Sequence, residues 1–158
     1  MRIIGFNFTK VLAEKTLGFS AGSEISTNIE FKNIEKEESD LTKESSEVIK
    51  LSFEFKVEYN KKETKENKEK NAKNGEIILD GIIILLASKD EAKTIFKDWE
   101  KKELPPSFKI PIFNFILNKC SIRALQLEEE LGLPMHIPMP KLKTAAQEKD
   151  QDQDKDKK

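Results

Sequence analysis

In 158 residues the chain has one cysteine, one histidine, one tryptophan and one tyrosine. A lone cysteine, Cys120, cannot close an intramolecular disulfide, and no second thiol completes a metal pair. It reads as a small buried hydrophobe in a reducing, cytoplasmic compartment. The lone histidine, His136, sits between Met135 and Ile137 in a proline-flanked stretch. A serine or cysteine nucleophile needs a base, and nothing in the spacing brings His136 to Cys120. His136 therefore reads as a structural or surface side chain. The sulfurs of Met1, Met135 and Met139 are too scattered for a soft-metal site. Phosphate loops, dinucleotide glycine patterns and the HExxH motif are absent. Acidic residues are plentiful, yet no two form an evident acid/base couple. These absences argue against an enzyme and against any bound metal or cofactor.

An excess of charge is missing too. The 28 Lys and Arg nearly cancel the 29 Asp and Glu, for a net charge of -1. No general field draws nucleic acid or acidic substrates. The most apolar run, Ile82 to Ala87, is far short of the roughly 20 residues a membrane span requires. The apolar start of the chain is broken at once by Asn7, Thr9 and Lys10, so it does not read as a signal peptide. No membrane insertion is expected, and the protein should be soluble and cytoplasmic.

What is present is alternation. From Val48 to Tyr59, residues Ile49, Leu51, Phe53, Phe55, Val57 and Tyr59 face one way, and Lys50, Ser52, Glu54, Lys56 and Glu58 the other. An unbroken period of two is a half-buried antiparallel strand. Ser23 to Ile34 repeats it, with Ile25, Ile29 and Phe31 inward. A first strand from Ile3 to about Leu17 is less regular; Phe6, Phe8 and Leu12 share a face if no bulge intervenes. Glu76 to Ala87 is apolar on both faces and so needs cover on both. Gly81 in its middle suggests a bulge or a close backbone approach. One face can pack on the chain's own helix, and a second subunit is the economical cover for the other.

Helical signals follow. Ser88 and Glu91 have the spacing of a capping box, and Ala92, Ile95, Phe96 and Trp99 form a stripe behind it. Leu104-Pro105-Pro106 ends that helix. A longer one runs from about Pro111 to Leu131 and stops at Gly132. Phe113, Ile116, Leu117, Cys120, Ala124, Leu127 and Leu131 form one face, and Ile112, Phe115 and Ile122 add a second. Burying a large apolar side chain is worth roughly 1.5–3 kcal/mol, so such a helix calls for a partner and points to an oligomer. The extended strip from Leu133 to Pro140 follows, rich in Pro and Met.

Residues 1–142 read as one domain. Glu35 to Ser46 is an acidic connection, and Asn60 to Asn74 a charged, solvated hairpin loop. Glu63, Glu66 and Glu69 interrupt that loop's lysines, which argues against nucleic-acid binding. Residues 143–158 read as a disordered tail.

Four stretches in this order resemble the SecB export-chaperone family and the SecB-like proteins grouped with it. Phe8-Thr9-Lys10-Val11 with Ala13-Glu14 is similar to the family's opening strand. Phe53-Glu54-Phe55-Lys56-Val57 is similar to its third strand, and Glu76 to Ile84, around Asp80-Gly81-Ile82, to its fourth. Pro111-Ile112-Phe113, Asn118 to Ile122, and the Gly132-Leu133-Pro134 turn with Ile137-Pro138-Met139 resemble its long helix and the exit from it. The resemblance implies an α+β fold, a four-stranded antiparallel sheet with helices on one side, paired into dimers and then a dimer of dimers. It implies ATP-independent capture of unfolded polypeptide, as in protein export. Client contacts are then expected at Phe53, Phe55 and Val57, at Ile82 and Ile84, and at Met135, Ile137 and Met139.

Two departures stand beside the likeness. The charge is near neutral where the family is strongly acidic, and the family's last helix and acidic tail, which meets the SecA motor, have no counterpart after Leu142. A chaperone for a dedicated client, of the antitoxin type, fits these departures. A ribosome- or RNA-associated factor is the competing reading, and steep salt dependence would mark it.

Overall fold

Proline cannot donate to a β-ladder, and all six prolines of this chain follow Leu104. The computed structural model, which describes residues 1–19, 22–37, 46–61 and 73–140, accordingly places four long strands first. They are β1 (Arg2–Lys15), β2 (Glu24–Glu37), β3 (Ser46–Asn60) and β4 (Lys73–Ser88), followed by α1 (Lys89–Glu100) and α2 (Pro106–Leu131). The strands form one sheet in the order β1-β4-β3-β2, and every neighbouring pair is antiparallel. The fold is α+β, with both helices on one side of the sheet. The expected Glu35–Ser46 connection and Asn60–Asn74 loop lie largely outside the described residues, and the 143–158 tail wholly so. Among the described residues no helix is long and apolar enough to cross a membrane.

The inward face of β3 is buried from Ile49 through Tyr59 at every second residue, and Ile77, Leu79, Ile83 and Leu85 of β4 lie beside it. Gly81 is the gap in that row. The Phe53 ring lies over it, and a Cβ at Gly81 would meet Phe53 Cζ at 2.6 Å and the Asn7 carbonyl oxygen at 2.8 Å. The close approach expected for this glycine is realised, and a bulge lies opposite it, in β1. Phe6 stacks on the same Phe53 ring, with centroids 5.9 Å apart.

A bulge does interrupt β1. The register shifts between Phe8 and Lys10, after which Leu12 pairs with Ile78 and Ala13 with Ile77. One extra residue turns every later side chain to the other face. Leu12 therefore leaves the face of Phe6 and Phe8 for the outer side of the sheet, and Ala13 takes the inward place.

The capping box is present. Ser88 accepts from the Glu91 N–H, and the Glu91 carboxylate accepts from the Ser88 N–H. The Met1 ammonium adds contacts of 3.0 and 3.2 Å to the same carboxylate. The Ser88 N–H first, then the ammonium and the Ser88 hydroxyl, hold the Glu91 carboxyl down at about 2, from an ordinary 4.5. A depressed folded-state value means stability that is complete above pH 4.5 and lost as pH falls through about 2. Ser88→Ala should cost about 1 kcal/mol in thermal or denaturant unfolding, and Glu91→Ala, which removes the carboxylate itself, should abolish the acid-side loss over that window. An unchanged acid limb would show that the clamp contributes nothing.

α2 differs from expectation in two respects. It begins at Pro106, not near Pro111, because a proline is tolerated in the first turn of a helix. Pro111 lies inside the helix, where its missing N–H removes only the bond toward Ser107. Its buried face also runs in steps of four, through Phe108, Ile112, Ile116, Cys120, Ala124 and Glu128. Ile112 is thus core, whereas Leu117 and Ile122, 39% and 63% exposed, face outward. The helix ends as expected at Gly132, in the left-handed region at φ 60°. The Gly132 N–H donates to Glu129 O and the Leu133 N–H to Glu128 O, at 3.2 and 2.8 Å. This is a Schellman cap, and Lys15 Nζ closes it by donating to the Leu131 and Gly132 carbonyls.

Candidate functional site

The step-of-four face of α2 ends on an acid. Glu128 is fully buried, among residues that gain from burial, where an ionised carboxylate is costly unless it is bonded. Its Oε1 collects three partners. The Tyr59 hydroxyl donates to it at 2.6 Å, the His136 amide N–H donates at 3.1 Å, and His136 Nδ1 lies 2.8 Å away. Glu128 Oε2 and His136 Nε2 have no partner among the described residues. The His136 ring stands edge-on to Phe55, with centroids 6.0 Å apart. Burial, and then the Glu128 carboxylate, raise the Tyr59 phenol above its ordinary value.

The chain's one tyrosine, its one histidine and this glutamate thus join the end of β3, the last turn of α2 and the strip behind it. Leu133 anchors the strip at one side by entering the core. His136 anchors it three residues later. Between and beyond these anchors the strip presents Met135 and Met139, 47% and 50% exposed, with Ile137 half-buried. On α2, Ile110, Leu117 and Ile122 also face outward.

The expected contact residues thus divide into three groups. Phe53, Phe55 and Val57 are core residues; α2 and the strip occupy their face, so as folded they offer no surface to a client. Ile82 and Ile84 are half-buried on the opposite face of the sheet. Met135, Ile137 and Met139 are the accessible set. Cys120 is buried, and burial pushes its thiol up to about 12, so it holds its proton at neutral pH. No cluster of three or more His, Cys, Asp or Glu able to hold a metal ion occurs among the described residues.

Glu128 was hidden in the run Glu128-Glu129-Glu130, which reads as a polar helix end. The available signal was the spacing from Ile112, Ile116, Cys120 and Ala124, which places Glu128, and neither neighbour, on the buried face. An inward tyrosine on an otherwise apolar face of its strand was the second signal, since a buried phenol finds a partner.

No protein-family model matches the sequence, and no curated protein matches it either. Among solved structures, the chain is similar to the Mycobacterium tuberculosis SecB-like chaperone Rv1957, determined in complex with a ChAD peptide from the Rv1956 HigA1 antitoxin. The identity is 11%, the match covers 90% of this chain and 91% of that one, and the TM-score is 0.46.

Proposed function

We propose that this protein is a SecB-like holding chaperone that captures unfolded polypeptide without ATP. The observation that carries the reading is the strip itself. Met135 and Met139 stand about half exposed, Met135 on backbone fixed from both sides by Leu133 and His136 and Met139 three residues past the second anchor. Apolar side chains on a held backbone form contacts with an incoming chain at little ordering cost. Methionine adapts to many client side chains. Ile137, with Ile110, Leu117 and Ile122 of α2, enlarges the apolar surface. The ordered motifs of the first, third and fourth strands and of the long helix support the same reading. Ile82 and Ile84 lie on the far face of the sheet and are not needed for it. The site holds no evident catalytic set, so the proposed activity is binding in the cytoplasm, by a homo-oligomer.

The test is suppression of aggregation of a chemically unfolded protein in the absence of ATP. The variant Met135→Asp/Met139→Asp should need about tenfold more chaperone for half-suppression, since each lost apolar contact is worth on the order of 1 kcal/mol. Its assembly mass should not change. Loss of assembly would assign the strip to a subunit interface instead. Wild-type protein that fails to suppress at severalfold excess would sink the general chaperone. That outcome would leave the dedicated-client form, tested by binding of a disordered antitoxin segment.

A further inference from the structure

The two anchors of the Pro/Met strip are unequal. At Leu133 the side chain is in the core, the N–H donates to Glu128 O, and Lys15 closes the Gly132 turn before it. Past Leu133 the strip makes two hydrogen bonds among the described residues, both between His136 and Glu128 Oε1. Pro134, Pro138 and Pro140 have no N–H to give, and all three are exposed, as is Met139. A segment held by so few bonds sits at the low-stability end of a fold.

The His136 end is also incompletely satisfied. Glu128 Oε1 has three partners, whereas Glu128 Oε2 and His136 Nε2 have none among the described residues. Yet the two side chains are 0% and 1% exposed. Buried polar atoms without partners favour any state that supplies them. Lifting His136 wets both atoms and uncovers the Phe55 ring against which the imidazole stands. The result is a cleft with an apolar wall and a buried acceptor, beside the bond from Tyr59 to Glu128. An unfolded chain brings what such a cleft takes. An apolar side chain can replace the imidazole on Phe55, and a backbone N–H, which nearly every residue carries, can replace the His136 amide on Glu128.

We infer that the strip is a strap, hinged at Leu133-Pro134 and latched at His136, and that a captured chain enters by displacing His136 from Glu128. The inference rests on the chaperone reading and adds a step to it. Met135 and Met139 meet the client on the latched strip, and the opened latch then offers it Phe55 and Glu128. Phe55, closed to a client in the resting fold, becomes a contact in the complex. A site hidden in the free protein and made dominant by its ligand lowers affinity in proportion to how rarely it opens.

The experiment adds a reduced and carboxymethylated protein, which stays unfolded, to the full chain and follows amide hydrogen exchange. At saturation the His136 amide should lose protection about tenfold or more, while the Leu133 amide keeps its own. The chain has one imidazole, and its single magnetic-resonance signal should shift in step. His136→Ala removes the ring and one of the two bonds. It should bind the unfolded protein about tenfold tighter, as for a latch open about a tenth of the time. A strip acting only as a fixed platform predicts the opposite sign, because loosening it raises the ordering cost. Gly81→Ala, destabilised away from the strip, should bind as wild type does. Binding that leaves His136 fully protected overturns the strap and spares the chaperone reading. So does a His136→Ala protein that binds no tighter than wild type, or a Gly81→Ala protein that gains as much. The exchange measurement needs no substitution, so a variant that fails to fold leaves the test standing. A wild type that binds no unfolded chain overturns both the strap and the chaperone reading.

Discussion

Glu128→Ala should lower stability by roughly 3–5 kcal/mol, the scale of stripping one partner from a buried polar cluster. The variant leaves the Tyr59 hydroxyl and the His136 N–H without their acceptor in a buried site. It also opens a hole at a fully buried position on α2. At about 3 °C per kcal/mol for a domain of this size, the melting temperature should fall by about 10–15 °C. Glu128→Gln retains an acceptor oxygen and should cost clearly less. The change should be felt first in the strip. The His136 amide, protected from hydrogen exchange while bonded to Glu128, should exchange far faster in the alanine variant than the amides of β3. Burial, and then the carboxylate, hold the Tyr59 phenol above its ordinary 10.0. A raised folded-state value gives stability that is complete below that pH and declines as pH rises beyond it. Tyr59→Phe should flatten the alkaline decline. A Glu128→Ala protein within about 1 kcal/mol of wild type, with His136 still protected, would contradict the account, because each orphaned buried donor alone costs that much.

Gly81→Ala should cost about 2–3 kcal/mol, at the upper end for overpacking a core. The added carbon would stand 2.6 Å from a ring carbon of Phe53 and 2.8 Å from the Asn7 carbonyl. Neither can yield cheaply. The ring is stacked by Phe6, and the carbonyl belongs to the neighbouring strand β1. The decisive measurement is a double-mutant cycle in denaturant. Phe53→Leu alone should destabilise by leaving a cavity. In the Gly81→Ala background that change should cost much less, with a coupling of about 1 kcal/mol or more. Additive costs would mean that the ring is not what excludes a side chain at position 81.

Much of this fold is legible in the residues because its causes are local. The alternation of β3 requires no partner to be read, since a period of two sets which side chains share a face. Ser88 with Glu91, and Gly132 after Leu131, mark helix ends through bonds that span a few residues. The failures are all non-local. Leu12 could not be placed, because one extra residue at Thr9 reverses the face of the rest of β1. Leu117 and Ile112 exchanged roles, because a helix apolar on several sides does not declare which of them meets the sheet.

The candidate site divides along the same line. Sequence alone determined that the chain has an alternating-strand half and a helical half, that its charges cancel, and that an apolar Pro/Met strip follows the long helix. Only the tertiary structure decided that Phe53, Phe55 and Val57 are core, because identical alternation describes a strand beneath helices and a strand open to a client. It alone gave the strip an anchor. Tyr59, Glu128 and His136 are far apart in the chain, and their meeting depends on where α2 crosses β3. Periodicity assigns residues to a face, and packing between elements determines what that face touches.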